Sequence, residues 1–436
     1  VFFNTNRRKG VDFVQISGII AEYNPFHNGH AYLFEQTRAK GATHIVVIMS
    51  GSFVQRSEPA LFTKFDRAAA AVRCGADLVL ELPAVYAGAT SERFAFGGVS
   101  ILNSLGVVDT LCFGSECGDI DKLQKAARAV VDPDVVDGIK RLCEIGYTYP
   151  EARMRSVSAF YGSISELLRS PNDLLAVDYI KAINRLSSKI KPIAVKRIGA
   201  GHDEDIDETD SDSFPDTFQP VKFMPDRKEP KNTNDFASGR ALREIIRNGG
   251  DFERYMPTSA AEIFRNALSL GRVSEGTESL EKAILIKARR TKREQLNGLP
   301  ECSDGLGDRI YNAARTASTL GELYELAKTK RYTMSRVRRS VLGMFFDFDK
   351  ELFTAPPYAR ILAIGKGGRE ILRAIKEETR FPVSQNLGEL AEKSEIAAKF
   401  AEYEILTTDA FALTLKKPAP AASDLTQKLF VLNNGE

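Results

Sequence analysis

The chain has 436 residues, 43% of them hydrophobic, and a formal net charge of +2. That is too long for one ordinary domain and apolar enough for real cores, which excludes wholesale disorder and predicts two or three units; a charge near zero assigns no partner by itself. Cys74, Cys112, Cys117, Cys143 and Cys302 are odd in number and scattered, which fits reduced thiols in the cytosol rather than a disulfide framework or zinc site, and no apolar run approaches the ~18 residues of a membrane span.

Residues 1–14 carry Arg7-Arg8-Lys9 without an apolar segment and read as a loose extension, a poor signal peptide. From about residue 16 to 200, short β-branched runs alternate with helical stretches roughly every 30 residues, the βαβ rhythm. The predicted strands are 16–21, 44–49, 77–82, 108–113 and 193–198. Gly41, Gly75 and Gly106 are placed to end the intervening helices, and Thr90 or Ser91 to cap the third. Strands apolar on both faces belong inside a covered parallel sheet, so the first half is read as a doubly wound α/β domain.

Polar clusters follow the strands. Glu22-Tyr23-Asn24-Pro25-Phe26 and then His27-Asn28-Gly29-His30 follow the first, and Ser50-Gly51-Ser52-Phe53-Val54-Gln55-Arg56 the second. Glu81-Leu82-Pro83 ends the third, and Gly114-Ser115-Glu116 follows the fourth. All sit at carboxyl edges of strands, where open α/β sheets bind ligands. A helix begins near Gly29, and its N-terminus favours phosphate through free N–H groups and the macrodipole. His27 and His30, three residues apart there, can donate hydrogen bonds as charge builds on a nucleotide's phosphates. Lys64 is either a further donor or a solvent-facing residue of its helix. His44 and His202 are read as structural, and Glu81 as bracing rather than binding magnesium.

Beyond Gly201 an acidic stretch at 202–218 reads as a mobile solvated loop. Residues 236–248 predict a short helix started by Ser238 and closed by Gly249-Gly250. From about 252 helical periodicity dominates, and between Lys282 and Arg339 fourteen Lys/Arg face six Asp/Glu. Basic helices with Tyr332 interleaved suit a phosphate backbone and a stacked base. Residues 361–364 read as a strand feeding a Gly365-Lys366-Gly367-Gly368 turn, without Walker spacing. The units expected are therefore an extension at 1–14, a catalytic α/β domain at 15–250 and a mainly helical basic domain at 251–436.

Together, residues 22–30, 49–60, Glu81-Leu82-Pro83, 113–116, Pro171-Asn172-Asp173 and Lys328-Thr329-Lys330-Arg331-Tyr332-Thr333 resemble the bacterial tRNA(Met) cytidine acetate ligase family; the HxGH element alone would indicate only the wider nucleotidyltransferase superfamily. The resemblance implies a Rossmann-like nucleotidyltransferase fold and a two-step reaction. Acetate and ATP give acetyl-adenylate, and the acetyl group then passes to N4 of the wobble cytidine (C34) of elongator tRNA(Met). It also implies ATP contacts at Ile20, Ala21, Glu22, Tyr23, Asn24, Pro25, Phe26, His27, Asn28, Gly29, His30, Ala31, Tyr32, Leu33, Gly114, Asn172 and Arg197. His27, His30 and Lys64 are the candidate catalytic residues, with Mg²⁺ expected on ATP but no dedicated metal ligands assigned. Lys287, Arg289, Arg290, Lys330, Arg331 and Arg336 are the candidate tRNA contacts. Ser57 stands where the family usually has glycine, and Ser238-Gly239-Arg240-Ala241-Leu242-Arg243 only partly matches the family's Ser-Ala-Thr-x-Ile-Arg element. A cytoplasmic enzyme is expected, with homo-oligomerisation left open. The alternatives are a small-molecule adenylyltransferase and a non-catalytic RNA-binding protein on a nucleotide-binding scaffold.

Overall fold

The computed structural model describes residues 14–197 and 237–432. Five parallel strands, β1 (Ile16–Ala21), β2 (His44–Ser50), β3 (Leu78–Leu82), β4 (Thr110–Ser115) and β5 (Lys191–Lys196), build the sheet. Its order is β5-β4-β1-β2-β3. The chain order reverses direction at β1, between β4 and β2, which opens a crevice at their carboxyl ends. β2 shows why the sheet is central: Val46 and Ile48 join the core on one face, while Ile45, Val47 and Met49 join the core on the other. A period-2 strand that is apolar at every position can only be buried on both sides.

The expected boundaries hold for β1 and slip elsewhere. β4 starts and ends two residues late and takes in Gly114 and Ser115, because these pair with Val195 and Lys196 of β5. Polar residues read as loop are retained in a strand when a neighbouring strand supplies the ladder. The three glycines do end their helices: Gly41, Gly75 and Gly106 have φ of 102°, 115° and 72°, values open to glycine at little cost. Thr90, not Ser91, caps the helix Ser91–Ser104 through its hydroxyl.

After residue 250 the chain forms successive helices, among them Thr258–Ser269, Glu281–Arg290, Leu306–Thr316 and Met334–Phe346. It then returns to the sheet, so the boundary expected at 250 does not divide it. The strand foreseen near 361–364 is β6 (Ala359–Ile364), antiparallel to β3. β7 (Val383–Ser384) and β8 (Phe430–Val431) both pair with β6. Gly365-Lys366-Gly367-Gly368 is a turn tied to Asp77, whose backbone oxygen accepts from Gly365 N at 2.7 Å and whose Oδ1 accepts from Gly367 N at 3.1 Å. The N–H groups of its three glycines are spent internally. The acidic stretch 202–218, His202 and residues 1–13 lie outside the described residues. Among the described residues no helix is long and apolar enough to cross a membrane.

Candidate active site

β1 delivers the chain into a tight turn at the crevice. Tyr23 has φ 48°, the Asn24-Pro25 peptide is cis, and Tyr23 and Phe26 are fully buried. Asn24 Oδ1 accepts from Leu61 N at 2.7 Å, which ties the turn to the segment after β2. The helix α1 (Asn28–Ala39) starts immediately afterwards with His27 as its N-cap. The backbone N–H of Gly29 donates to His27 Nδ1 (3.0 Å), and the N–H of His27 donates to His30 Nδ1 (3.2 Å). This reciprocal capping box is built from two imidazoles instead of the usual hydroxyl and carboxylate.

The consequence is chemical. A ring nitrogen that accepts a backbone hydrogen bond carries no proton, so each neutral imidazole holds its hydrogen on Nε2 and can donate from there. The rings stack with centroids 3.7 Å apart, and Tyr23 stands edge-on to His30 at 4.8 Å. Burial, then the charges of Arg197 and Arg243, push the His27 pKa from 6.5 down to about 3. Burial, His27 and Arg197 hold His30 well below its ordinary value. Both are therefore uncharged donors at neutral pH.

They open into a cavity of about 280 Å³. Of the expected nucleotide contacts, Ile20, Ala21, Glu22, Tyr23, Asn24, Pro25, His27, Gly29, His30, Tyr32, Leu33, Gly114, Asn172 and Arg197 line it. Phe26, Asn28 and Ala31 do not. Phe26 and Ala31 are packed in the core, and Asn28 Nδ2 donates to Arg254 O at 3.1 Å. Two distant motifs meet at one wall: Glu116 accepts from Asn172 Nδ2 (2.5 Å) and Asp173 N (2.9 Å), which orients the Asn172 amide at the start of the helix Pro171–Arg185. Arg197 passes beside Gly114 at the strand end, where an added Cβ would sit 3.4 Å from Arg197 Cγ, an ordinary van der Waals contact.

Lys64 is not brought to this cavity. It opens α2 (Lys64–Arg73), is fully buried, and its Nζ lies 2.5 Å from Glu81 Oε1 and 2.7 Å from Asp424 Oδ1. Arg360 Nη1 joins the same carboxylates at 3.1 and 2.6 Å. Two buried cations thus meet two carboxylates, the pairing that burial demands. Glu81 braces, as expected. Glu404 completes the assembly by accepting from Ala84 N at 2.6 Å; burial and then Glu81 raise its pKa well above the usual range.

One residue unmarked by sequence reasoning, Arg67, and one carried only by a partial motif, Arg243, complete the crevice. Arg67 is fully buried and donates to the backbone oxygens of Phe62 (3.1 Å), Glu22 (2.6 Å), Ser50 (3.1 Å) and Gly51. It cross-ties the loops that leave β1 and β2. Burial lowers its pKa to about 10, so it stays charged. Arg243, on the expected helix (observed Gly239–Arg247, N-cap Ser238), lines the cavity and donates to Asn24 O at 3.0 Å. The partial motif match at 238–243 was the available signal. A larger cavity, about 440 Å³, lies against β6 and residues 424–429 and contains none of the expected nucleotide contacts.

The basic residues divide. Arg289 caps the helix Leu306–Thr316 by donating to Ala314 O (3.1 Å) and Ala317 O (2.7 Å). Arg336 donates to Glu301 O, Ser303 and Asp304, and Lys287 pairs with Asp347. Arg290, Lys330 and Arg331 are exposed. Tyr332 is buried with its hydroxyl donating to Asp304 O, so the base-stacking role expected of it is not available.

Comparison with known proteins identifies the family. The HIGH nucleotidyl transferase family model matches residues 14–214 and 222–426. A tRNA(Met) cytidine acetate ligase of Caldanaerobacter subterraneus subsp. tengcongensis is 33% identical over 425 residues, 95% of this chain and 99% of that protein. One of Acetivibrio thermocellus is 33% identical over 440 residues, 96% and 100% of the two chains. The crystal structure of Thermotoga maritima TmcAL bound with alpha-thio ATP superposes with a TM-score of 0.83 at 27% identity, covering 96% of this chain and 100% of that one. Site, sheet and sequence together place the chain in the HIGH nucleotidyl transferase family, among the tRNA(Met) cytidine acetate ligases.

Proposed function

We propose that this chain activates acetate with ATP and transfers the acetyl group to N4 of the wobble cytidine of elongator tRNA(Met). The observation that carries the reading is the imidazole capping box: two neutral Nε2–H donors at a helix N-terminus, flanked by Arg197 and Arg243. Attack of a carboxylate on the α-phosphorus needs alignment and neutralisation of developing phosphate charge rather than a protein nucleophile. Neutral donors suit that task because they add hydrogen bonds where charge grows without the cost of burying two imidazoliums. Asn172, its amide held by Glu116, and Arg197 are the further proposed nucleotide contacts.

Mg²⁺ is proposed to enter on the triphosphate. Phosphate oxygens and water are its expected ligands, since Mg²⁺ keeps several waters and binds largely through substrate phosphates. The exposed Arg290, Lys330 and Arg331 are the proposed tRNA backbone contacts. Incubation with ATP, labelled acetate and unmodified tRNA(Met) tests the reading. Label in cytidine supports it, whereas acetate-independent ATP turnover with a phosphorylated metabolite would favour a small-molecule adenylyltransferase.

A further inference from the structure

The second half-reaction releases a proton. As the N4 lone pair forms the new C–N bond to the acetyl carbonyl, the carbonyl-to-phosphate C–O bond breaks and AMP departs with its electron pair. One hydrogen of N4 must leave, and at neutral pH something has to accept it. The imidazoles cannot: their Nδ1 atoms accept backbone N–H groups, and their Nε2 atoms carry the hydrogens. Tyr23 and Tyr179 are raised by burial far from ionisation. Arg197 and Arg243 have no acceptor. Among the described lining residues one carboxylate remains, Glu22.

Building on the acetyl-transfer reading above, we infer that Glu22 is the general base that takes the N4 proton of cytidine and passes it to water. Its place in the fold suits the role. It sits at the carboxyl end of β1, half-buried, between the strand and the turn that sets His27 and His30. The backbone N–H of Gln55 donates to Oε1 at 2.7 Å, and Arg67 anchors the Glu22 backbone oxygen at 2.6 Å. With Oε1 held by the backbone, Oε2 is assigned to the proton. Burial disfavours its charged form, Arg243 and Arg56 favour it, Glu58 opposes it, and the Tyr179 phenol is near enough to feel its charge. The net result of burial and these charges is a pKa above the ordinary glutamate value, which makes the carboxylate a better base near neutrality.

The test separates the two half-reactions in the full chain. Glu22→Gln keeps the shape and the acceptor for Gln55 N–H but cannot take a proton. It should slow single-turnover transfer from preformed acetyl-AMP to unmodified tRNA(Met) by about 10²–10⁴-fold, at least about 10-fold beyond any loss in acetate-dependent ATP–pyrophosphate exchange. Wild-type transfer should climb with pH and level off, the Gln variant should be flat, and Glu22→Asp should regain at least about 10-fold over Gln. Unchanged transfer in Glu22→Gln would assign the proton to the leaving phosphate and overturn the inference. Equal losses in exchange and transfer would make Glu22 an ATP-binding group and overturn it too. Wild-type protein that transfers no acetyl group from acetyl-AMP would overturn the functional reading itself, and this inference with it.

Discussion

Two helices leave the sheet by the same device and end in opposite chemistry. α1 follows β1 and α2 follows β2, and each opens with basic side chains at its first turn. In α1 the two imidazoles accept backbone N–H groups, stack on each other, stay uncharged, and face a cavity. In α2 the Lys64 ammonium is consumed by Glu81 and Asp424, with Arg360 as a second cation. A residue's type and its position at a helix start do not make it a ligand-binding group; what decides is whether its hydrogen bonds are already taken. The first assembly is poised for a substrate, and the second holds the carboxyl-terminal segment against the sheet.

The comparison breaks most readily at Asp424. Asp424→Ala leaves Lys64 and Arg360 under-compensated and should cost about 3–5 kcal/mol in urea denaturation; a loss below ~1 kcal/mol would show that the assembly carries little. His30→Ala should lower acetate-dependent pyrophosphate exchange by about 10²–10³-fold while tRNA affinity stays within ~2-fold. Lys64→Met sharpens the contrast: exchange per folded molecule is expected to remain within about 3-fold, and a His30-sized loss would return Lys64 to the cleft. Reversing Lys330 and Arg331 together to Glu should weaken tRNA binding about 10-fold and flatten its salt dependence. Arg336→Ala should act on stability instead, by about 1 kcal/mol, through its lost loop contacts.

Acid sets a smaller effect. His27 titrates near pH 3 in the fold against 6.5 ordinarily, so between those values the unfolded chain takes up a proton the native one excludes. Stability therefore declines as pH drops from about 6.5 towards 3, and His27→Gln should flatten part of that slope in pH-dependent melting. The smallest change concerns Ser57, which has φ 60° and a buried hydroxyl that finds no hydrogen-bond partner in the described structure. Ser57→Gly should stabilise by about 1 kcal/mol; an unchanged melting temperature would mean the loop relaxes.

Much of this was legible in the amino acids because the signals were local. Runs of β-branched residues marked the strands, glycine marked the helix ends, and His-x-Gly-His after a strand marked the crevice. The misplacement of Lys64 has a definite cause: Asp424 lies 360 residues away in the chain, and no local pattern announces such a partner. The basic half shows the same limit. Counting charges found the patch, but Arg289 and Arg336 are spent on carbonyl oxygens that composition cannot reveal. Tyr332 was misjudged because its ring is buried and its hydroxyl is taken by the Asp304 backbone oxygen. Arg67 left no trace, since one arginine in an alanine-rich helix looks like a surface residue.

The antiparallel return of β6 has a practical corollary. Every residue of β3 is buried, with β2 on one flank and β6 on the other. A recombinant fragment stopped near residue 250 would shed β6 and bare an apolar, ladder-ready flank, an invitation to self-association. Workers seeking a minimal adenylating module should therefore delete from within the helical insert and keep the tail, rather than trim from the end.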